Sequence, residues 1–304
     1  MKVLVTGAAG FVGPHLLREL AAQKITAIGT DRNPSESVRQ LDVLDSSGVA
    51  RLVREIRPDW IIHLAGQSSV PNSFESPELT FRINVEGTKN LFEACTAADI
   101  RPKMLIVSSA HVYGTPKYTP IDELHPLSPE SPYAESRVKQ EQFALEYGQE
   151  NNIPVVISRS FNHTGPGQGP GFACPAFAKQ IAELEAKRGG IMQVGNMGSY
   201  RDFSDVRDIA KAYILALEEC TPGQVYNIGS GKATKIKDVL DTLLSFSSAK
   251  ISIRKDSSRL RKQDEPLLVC DASKFRKAAG WQPEIPLNQT LKDLLDWYRK
   301  NVRA

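Results

Sequence analysis

The chain has 304 residues, 41% of them hydrophobic and 24% charged, and its 38 basic against 35 acidic residues leave a net charge of only +3. That length buries a sizeable core. So small and evenly spread an excess argues against a nucleic-acid partner, and no apolar run is long enough for a membrane span.

The start, MKVLVTGAAGFVG, runs straight into a strand and a turn, which is not the pattern of a secretory signal. Short runs rich in Val and Ile then recur: KVLVTG, ITAIGTD, WIIHLAG, MLIVSSA and VVISRSF. Each ends in turn or small polar residues, so each reads as a buried strand. Helical patterns such as HLLRELAAQ and NVEGTKNLFEACTAA lie between them. Strand and helix alternating in this way predict a parallel sheet covered on both faces, a doubly wound α/β fold of Rossmann type. Past residue 160 the texture changes. FNHTGPGQGPGFACP reads as a long loop, AFAKQIAELEAK as a helix, and VGNMGSYRDFSDVRDIAKAYILALEE as a loop leading into another helix. QVYNIGSG reads as one more sheet strand. TKIKDVLDTLLSF sets Ile236, Val239, Leu240, Leu243 and Leu244 on one stripe, as core packing requires. The expected division is a dinucleotide-binding domain of residues 1–160 plus about 203–230, and a smaller mixed α/β domain of about 161–202 plus 231–304. Cys95, Cys174, Cys220 and Cys270 are scattered and form no CxxC pair, so neither a metal site nor a disulfide framework is expected, and a reducing cytoplasm is.

Gly7, Gly10 and Gly13 follow the first strand and open a helix. Lacking Cβ atoms, they permit a tight turn and let a pyrophosphate approach the backbone at a helix N-terminus. Pro14 fits there because first-turn N–H groups have no helical partner. Asp31 ends the next strand, where an acid binds the adenosine ribose, and so favours NAD(H). Arg32 follows at once and can accept a 2′-phosphate, which leaves NADP(H) open. Asp42 either borders the adenine pocket or forms a turn. In SPYAESRVKQE, Tyr133 stands one helical turn before Arg137, which places both on one helix face. Lys139 points to another face.

TGAAGFVG, HLAGQSSV, VSSAHVYG, SPYAESR and FNHTGPGQ run in this order over nearly the whole chain, and NIGSG and GWQP follow. As a set they resemble the extended short-chain dehydrogenase/reductase family. HLAGQSSVPNSFESPELTFRINVEGT, FNHTGPGQGPGF and RDFSDVRDIAKAY look most like its GDP-sugar branch, which holds GDP-mannose 4,6-dehydratases and GDP-4-keto-6-deoxymannose reductases. The resemblance implies a cofactor wall of Gly7, Gly10, Phe11, Val12, Gly13, Asp31, Arg32, Asp42, Val43, Leu64, Ala65, Gln67, Asn84, Tyr133 and Arg137. It implies Tyr133 as proton donor to a sugar ketone, Ser109 as the hydroxyl that hydrogen-bonds the same oxygen, and Asn84 as support for a water chain. Asn162, Arg201, Arg261 and Asp264 match positions that hold the nucleotide diphosphate, ribose or base.

Two positions depart from the family pattern. The family carries lysine where this chain has Arg137. Arginine keeps the charge but never gives up its proton, and its planar fork differs from an ammonium. Dehydratases carry acids after the serine, where this chain has Ala110 and His111. Ala110 does no acid–base work, and His111 is read as a hydrogen-bonding pocket residue with a proton-shuttle role left open. The expected activity is therefore reduction of the C4 ketone of a GDP-4-keto-6-deoxy hexose, forming a GDP-6-deoxy hexose such as GDP-rhamnose. A nucleotide-sugar 4-epimerase and a catalytically weak dinucleotide binder are the alternatives. A homodimer is expected from the resemblance.

Overall fold

A computed structural model of the chain describes residues 1–256 and 267–302. Strands β1 (Lys2–Thr6), β2 (Thr26–Asp31), β3 (Val38–Gln40), β4 (Trp60–His63), β5 (Lys103–Ser109) and β6 (Val155–Ser160) come first. The short strands β7 (His163–Thr164), β8 (Gly190–Val194), β9 (Tyr200–Asp202) and β10 (Ser204–Asp205) follow. The last are β11 (Gln224–Ile228), β12 (Ala233–Lys235), β13 (Ile251–Lys255) and β14 (Leu267–Leu268).

Seven strands form one sheet in the order β11-β6-β5-β4-β1-β2-β3, every pair parallel. Parallel neighbours need long crossovers, and, outside the short β2–β3 link, helices lie in them: α1 (Gly13–Ala22), α2 (Ser46–Ile56), α3 (Val70–Glu75), α4 (Pro77–Phe81), α5 (Gly87–Ala97), α6 (Pro132–Glu150) and α8 (Val206–Glu219), with α7 (Ala173–Ala186) set apart from the sheet. Alternate strand residues face opposite ways. Val3, Val5 and Ile62 therefore join Leu16 and Leu20 of α1 and Ile209 and Tyr213 of α8 in one core. Leu4, Ile61 and Ile106 join Val49, Val53, Leu91, Phe92 and Ala144 in the other, under α2, α5 and α6. Burial on both faces is why these strands read as unbroken apolar runs. The sheet reverses its direction of growth between β1 and β4, and ligands bind such sheets in the crevice at that point.

The remaining chain builds a third core. Helices α7, α9 (Ile236–Ser245) and α11 (Leu287–Val302) enclose Met192 and Val194 of β8. The stripe Ile236, Val239, Leu240 and Leu243 is buried there, with Leu244 at its edge. Helix α10 (Ser273–Ala279) returns to the main sheet, placing Phe275 in the first core.

Three expectations need correction. β3 was not expected, and it is an edge strand of three residues with exposed Arg39 and Gln40. The stretch expected as a loop before α8 holds β9 and β10; β9 pairs antiparallel with β12 and parallel with β14, and β10 pairs with β7. Asp202 of β9 is satisfied from a distance, accepting from the backbone N–H groups of Ser230, Gly231 and Cys270 at 2.8–3.0 Å. Helix α7 begins at Ala173, inside the stretch expected as a loop. Among the described residues no helix is long and apolar enough to cross a membrane.

Candidate active site

The glycine turn caps β1. Gly7 sits at φ +72°, the left-handed region, and a Cβ there would lie 2.5 Å from the Ala65 nitrogen. Gly13 serves packing instead, since its Cβ would lie 2.1 Å from the Ala8 carbonyl oxygen. Val12 caps α1 with no side-chain hydrogen bond and Pro14 lies in the first turn. The first-turn N–H groups are thus left for an anion. Asp31 ends β2 with its carboxylate fixed, Oδ2 accepting from Ala9 N at 3.2 Å and Oδ1 from Asn33 N at 2.9 Å. Asp42 accepts from Leu44 N at 2.9 Å, so it forms a turn and also borders the pocket.

A cavity of about 630 Å³ runs along the carboxyl ends of the strands. Its wall carries Gly7, Gly10, Phe11, Val12, Asp31, Arg32, Asp42, Val43, Leu64, Ala65, Gln67, Ser109, His111, Tyr133, Arg137 and Asn162. Gly13, Asn84 and Arg201 are not on that wall. Asn84 is fully buried behind it, inside a π-helical turn of Arg82–Glu86. There it accepts from Gln67 N at 2.8 Å and donates to Gln67 O and to Ser136 Oγ at 3.1 and 2.8 Å. Such turns, which widen a helix by one residue, recur at functional sites. Arg201 lies buried in β9, donating to Tyr200 O at 2.8 Å. Arg261 and Asp264 lie outside the described residues.

Ser109 ends β5 and caps the tight turn Ala110–Tyr113 by accepting from His111 N at 3.2 Å. Its own hydroxyl hydrogen is left to donate to a ligand oxygen. Tyr133 stands in the first turn of α6, which Ser131 caps by accepting from Ala134 N at 3.2 Å. The His111 ring meets the Tyr133 ring edge to face, with centroids 6.0 Å apart. One turn on, the Arg137 Cζ lies 5.3 Å from the Tyr133 ring centre. Arg137 is only 5% exposed, and its Nε has no hydrogen-bond partner among the described residues. A buried guanidinium with an unmatched donor, on a wall shared with a glycine turn, fits a dinucleotide.

Sequence reasoning passed over several wall residues, among them Gly66, Phe161, His163, Gln168 and Tyr213. His163 stacks on Phe11, the rings 8° from parallel with centroids 5.9 Å apart. Burial holds its imidazole below the usual pKa, which keeps it neutral beside the apolar ring. His15 Nε2 donates to Pro166 O at 2.8 Å, so two contacts tie the loop after β6 to the glycine turn. Tyr213 was read only as part of a packing helix. Burial pushes its hydroxyl up to about 12, and it shares a 2.8 Å hydrogen bond with Ser160 Oγ.

This fold and this cavity define a short-chain dehydrogenase/reductase that binds a nicotinamide dinucleotide. The chain belongs to the family described as GDP-mannose 4,6 dehydratase, which it matches over residues 4–294. It is 34% identical to the GDP-6-deoxy-D-mannose reductase of Pseudomonas aeruginosa, over 99% of this chain and 98% of that one. It is 30% identical to a putative UDP-glucose 4-epimerase of Methanocaldococcus jannaschii, over 99% and 100% of the two chains. The solved structure of RMD from Pseudomonas aeruginosa complexed with NADPH superposes with a TM-score of 0.87 at 32% identity, covering 99% of both chains. The UDP-glucose 4-epimerase of Bifidobacterium longum in complex with NAD+ and UDP superposes with a TM-score of 0.89 at 28% identity, again covering 99% of both. The chain is thus an NAD(P)-dependent enzyme of nucleotide-sugar chemistry.

Proposed function

We propose that the chain reduces the C4 ketone of a GDP-4-keto-6-deoxy hexose to a GDP-6-deoxy hexose such as GDP-rhamnose, with NAD(P)H as reductant. One observation carries this reading. Among the described residues, the only carboxylates on the cavity wall are Asp31, at the end of β2, and Asp42, in the turn after β3. Beside Ser109 and Tyr133 stand Ala110 and His111 instead. A dehydratase must move a proton from C5 and expel the C6 hydroxyl, which calls for acids at that end. Ketone reduction needs one proton donor.

When bound in this cavity, the reduced nicotinamide would supply the hydride that the ketone carbon takes up. The protein's share is the oxygen. As the C–O π electrons move onto oxygen, the Tyr133 hydroxyl gives it a proton and the Ser109 hydroxyl holds it in place. A free tyrosine titrates near 10, so the phenolate left behind needs a fixed cation. Arg137 supplies that charge one turn away, and its guanidinium offers donors to the nicotinamide ribose. It moves no proton, so Tyr133 is recharged from solvent. Asn84 braces the wall rather than touching a ligand. Asn162 and, from the family pattern, Arg201, Arg261 and Asp264 are assigned to the GDP moiety.

A 4-epimerase is the second reading, favoured by the epimerase relatives. The two lobes given above are proposed as cofactor and substrate domains. A cytoplasmic homodimer completes the proposal; the four buried, unpaired cysteines suit a reducing compartment. The test is nicotinamide absorbance with GDP-4-keto-6-deoxymannose and NADH or NADPH. Stoichiometric loss of reduced cofactor supports the reductase. Interconversion of UDP-sugars with no net loss of reductant would replace it with the epimerase.

A further inference from the structure

Arginine is bulkier than the family lysine and carries a planar fork, so its acceptance at position 137 needs a structural reason. Two residues supply one. A Cβ on Gly66 would lie 2.6 Å from Arg137 Nη2, 3.2 Å from its Cζ and 2.9 Å from Asn84 Oδ1. Nη2 therefore occupies the volume that any other residue at 66 would fill. Neither neighbour has room to yield, because Arg137 is 5% exposed and Asn84 is fully buried with its amide engaged on both sides.

The plane of the fork is set from the other side. Nη1 donates to Val107 O at 3.1 Å and to Gln140 Oε1 at 2.8 Å. Gln140 is fully buried, and its Nε2 donates to Thr88 Oγ1 at 2.7 Å. The Thr88 hydroxyl spends its one hydrogen on Asn84 O at 2.7 Å. It must therefore accept from His63 Nε2, 3.0 Å away, and His63 Nδ1 then accepts from the Thr6 hydroxyl at 2.6 Å. The donors run in a single direction, and only that direction turns an oxygen of Gln140 toward the guanidinium. A reversed amide would set NH2 against a group that only donates.

We infer that Gln140 is a positioning residue that adapts this site to an arginine by fixing the guanidinium plane beside Tyr133, within the volume that Gly66 leaves open for Nη2. The inference rests on the assignment of Arg137 as the cation of the Tyr133 pair. It does not depend on which sugar is reduced.

The test is a double-mutant cycle on the full chain with two readouts that need no sugar. One is the Kd for whichever of NADH or NADPH binds more tightly, from cofactor fluorescence. The other is the midpoint of urea unfolding, which separates a change at the site from a general loss of stability. Gly66→Ala alone should weaken cofactor binding about tenfold. In the Arg137→Lys background the same change should cost less, about threefold, because the 2.6 Å contact with Nη2 is gone and only the 2.9 Å contact with Asn84 Oδ1 remains. Gln140→Met, which keeps the length but not the acceptor, should show the same dependence on background and decides the matter if Gly66→Ala does not fold. Equal effects in both backgrounds, or no effect with arginine present, would overturn the inference. A chain that binds cofactor but leaves GDP-4-keto-6-deoxymannose untouched would sink the proposed reaction, while the cycle still decides this one.

Discussion

His63 should make folding stability depend on pH across a range where most side chains are silent. Burial first, and the Arg137 charge second, hold its imidazole down at about 3, against 6.5 for the free side chain. The sign follows from which state takes the proton. As pH falls below 6.5 the unfolded chain charges its imidazole and gains stability, while the native imidazole stays neutral. Stability is therefore full above 6.5, declines as pH falls, and levels off near 3. At pH 5 the free group is about 1.5 pH units below its pKa, which at about 1.36 kcal/mol per unit is a loss of about 2 kcal/mol. Any native pKa below about 4 gives nearly the same figure, so the result does not turn on the depth of the depression. Urea unfolding followed by circular dichroism at pH 8 and pH 5 gives the change directly. His15 and His163 are also held low by burial and act in the same direction. The comparison is therefore with His63→Gln, whose amide can donate to Thr88 and accept from Thr6. The natural chain should lose about 2 kcal/mol more than the variant between the two pH values. Parallel losses in the two proteins would refute the account of His63 as a neutral, buried member of the Arg137 network.

Two further changes probe the scaffold and the cofactor. Arg159 holds Glu141 through Nε at 3.1 Å and Nη2 at 2.7 Å, both side chains under 10% exposed, and Ser108 adds a 2.5 Å hydrogen bond to the same carboxylate. Arg159→Leu strands a buried charge and should cost about 3–5 kcal/mol in urea unfolding; adding Glu141→Leu should recover part of that loss, and a neutral single mutant would show the pair to be dispensable. Asp31→Ser removes a carboxylate that repels a 2′-phosphate while Arg32 remains. The Kd ratio of NADH to NADPH should move about tenfold toward NADPH, and an unchanged ratio would separate Asp31 from cofactor choice.

What was legible in the sequence depended on how locally each feature is encoded. KVLVTG, WIIHLAG and VVISRSF announced themselves because strands buried on both faces carry Val and Ile at every step. β3 and β9 did not. Arg39 and Gln40 are exposed at a sheet edge, and in β9 Arg201 is buried while Asp202 is buried against partners far along the chain. A two- or three-residue strand leaves no period to detect. The same holds at the site. Gly7 and Asp31 sit at strand ends, and Ser109 and Tyr133 fall in motifs shared with the family, so their places on the wall could be anticipated. His163 and Tyr213 come to the wall only because the loop after β6 folds back on the glycine turn and α8 packs beneath the sheet.

Arg137 shows the limit of reading one position at a time. Taken alone, arginine in a lysine position suggests a damaged catalytic pair. The structure sets two distant residues against it. Gly66, just past the end of β4, leaves the space its fork occupies, and Gln140, one turn further along α6, gives Nη1 an acceptor. A chain drifting away from catalysis has no need of an oriented buried amide at position 140, since it costs stability unless it is used. Gly66 alone reads as a turn residue, and Gln140 alone as an ordinary helix former. Only their shared contact with one guanidinium gives either a meaning, and that contact joins a strand end to a helix 74 residues away in the chain. The arginine at 137 is therefore better understood together with the buried amide that orients it than as a loss.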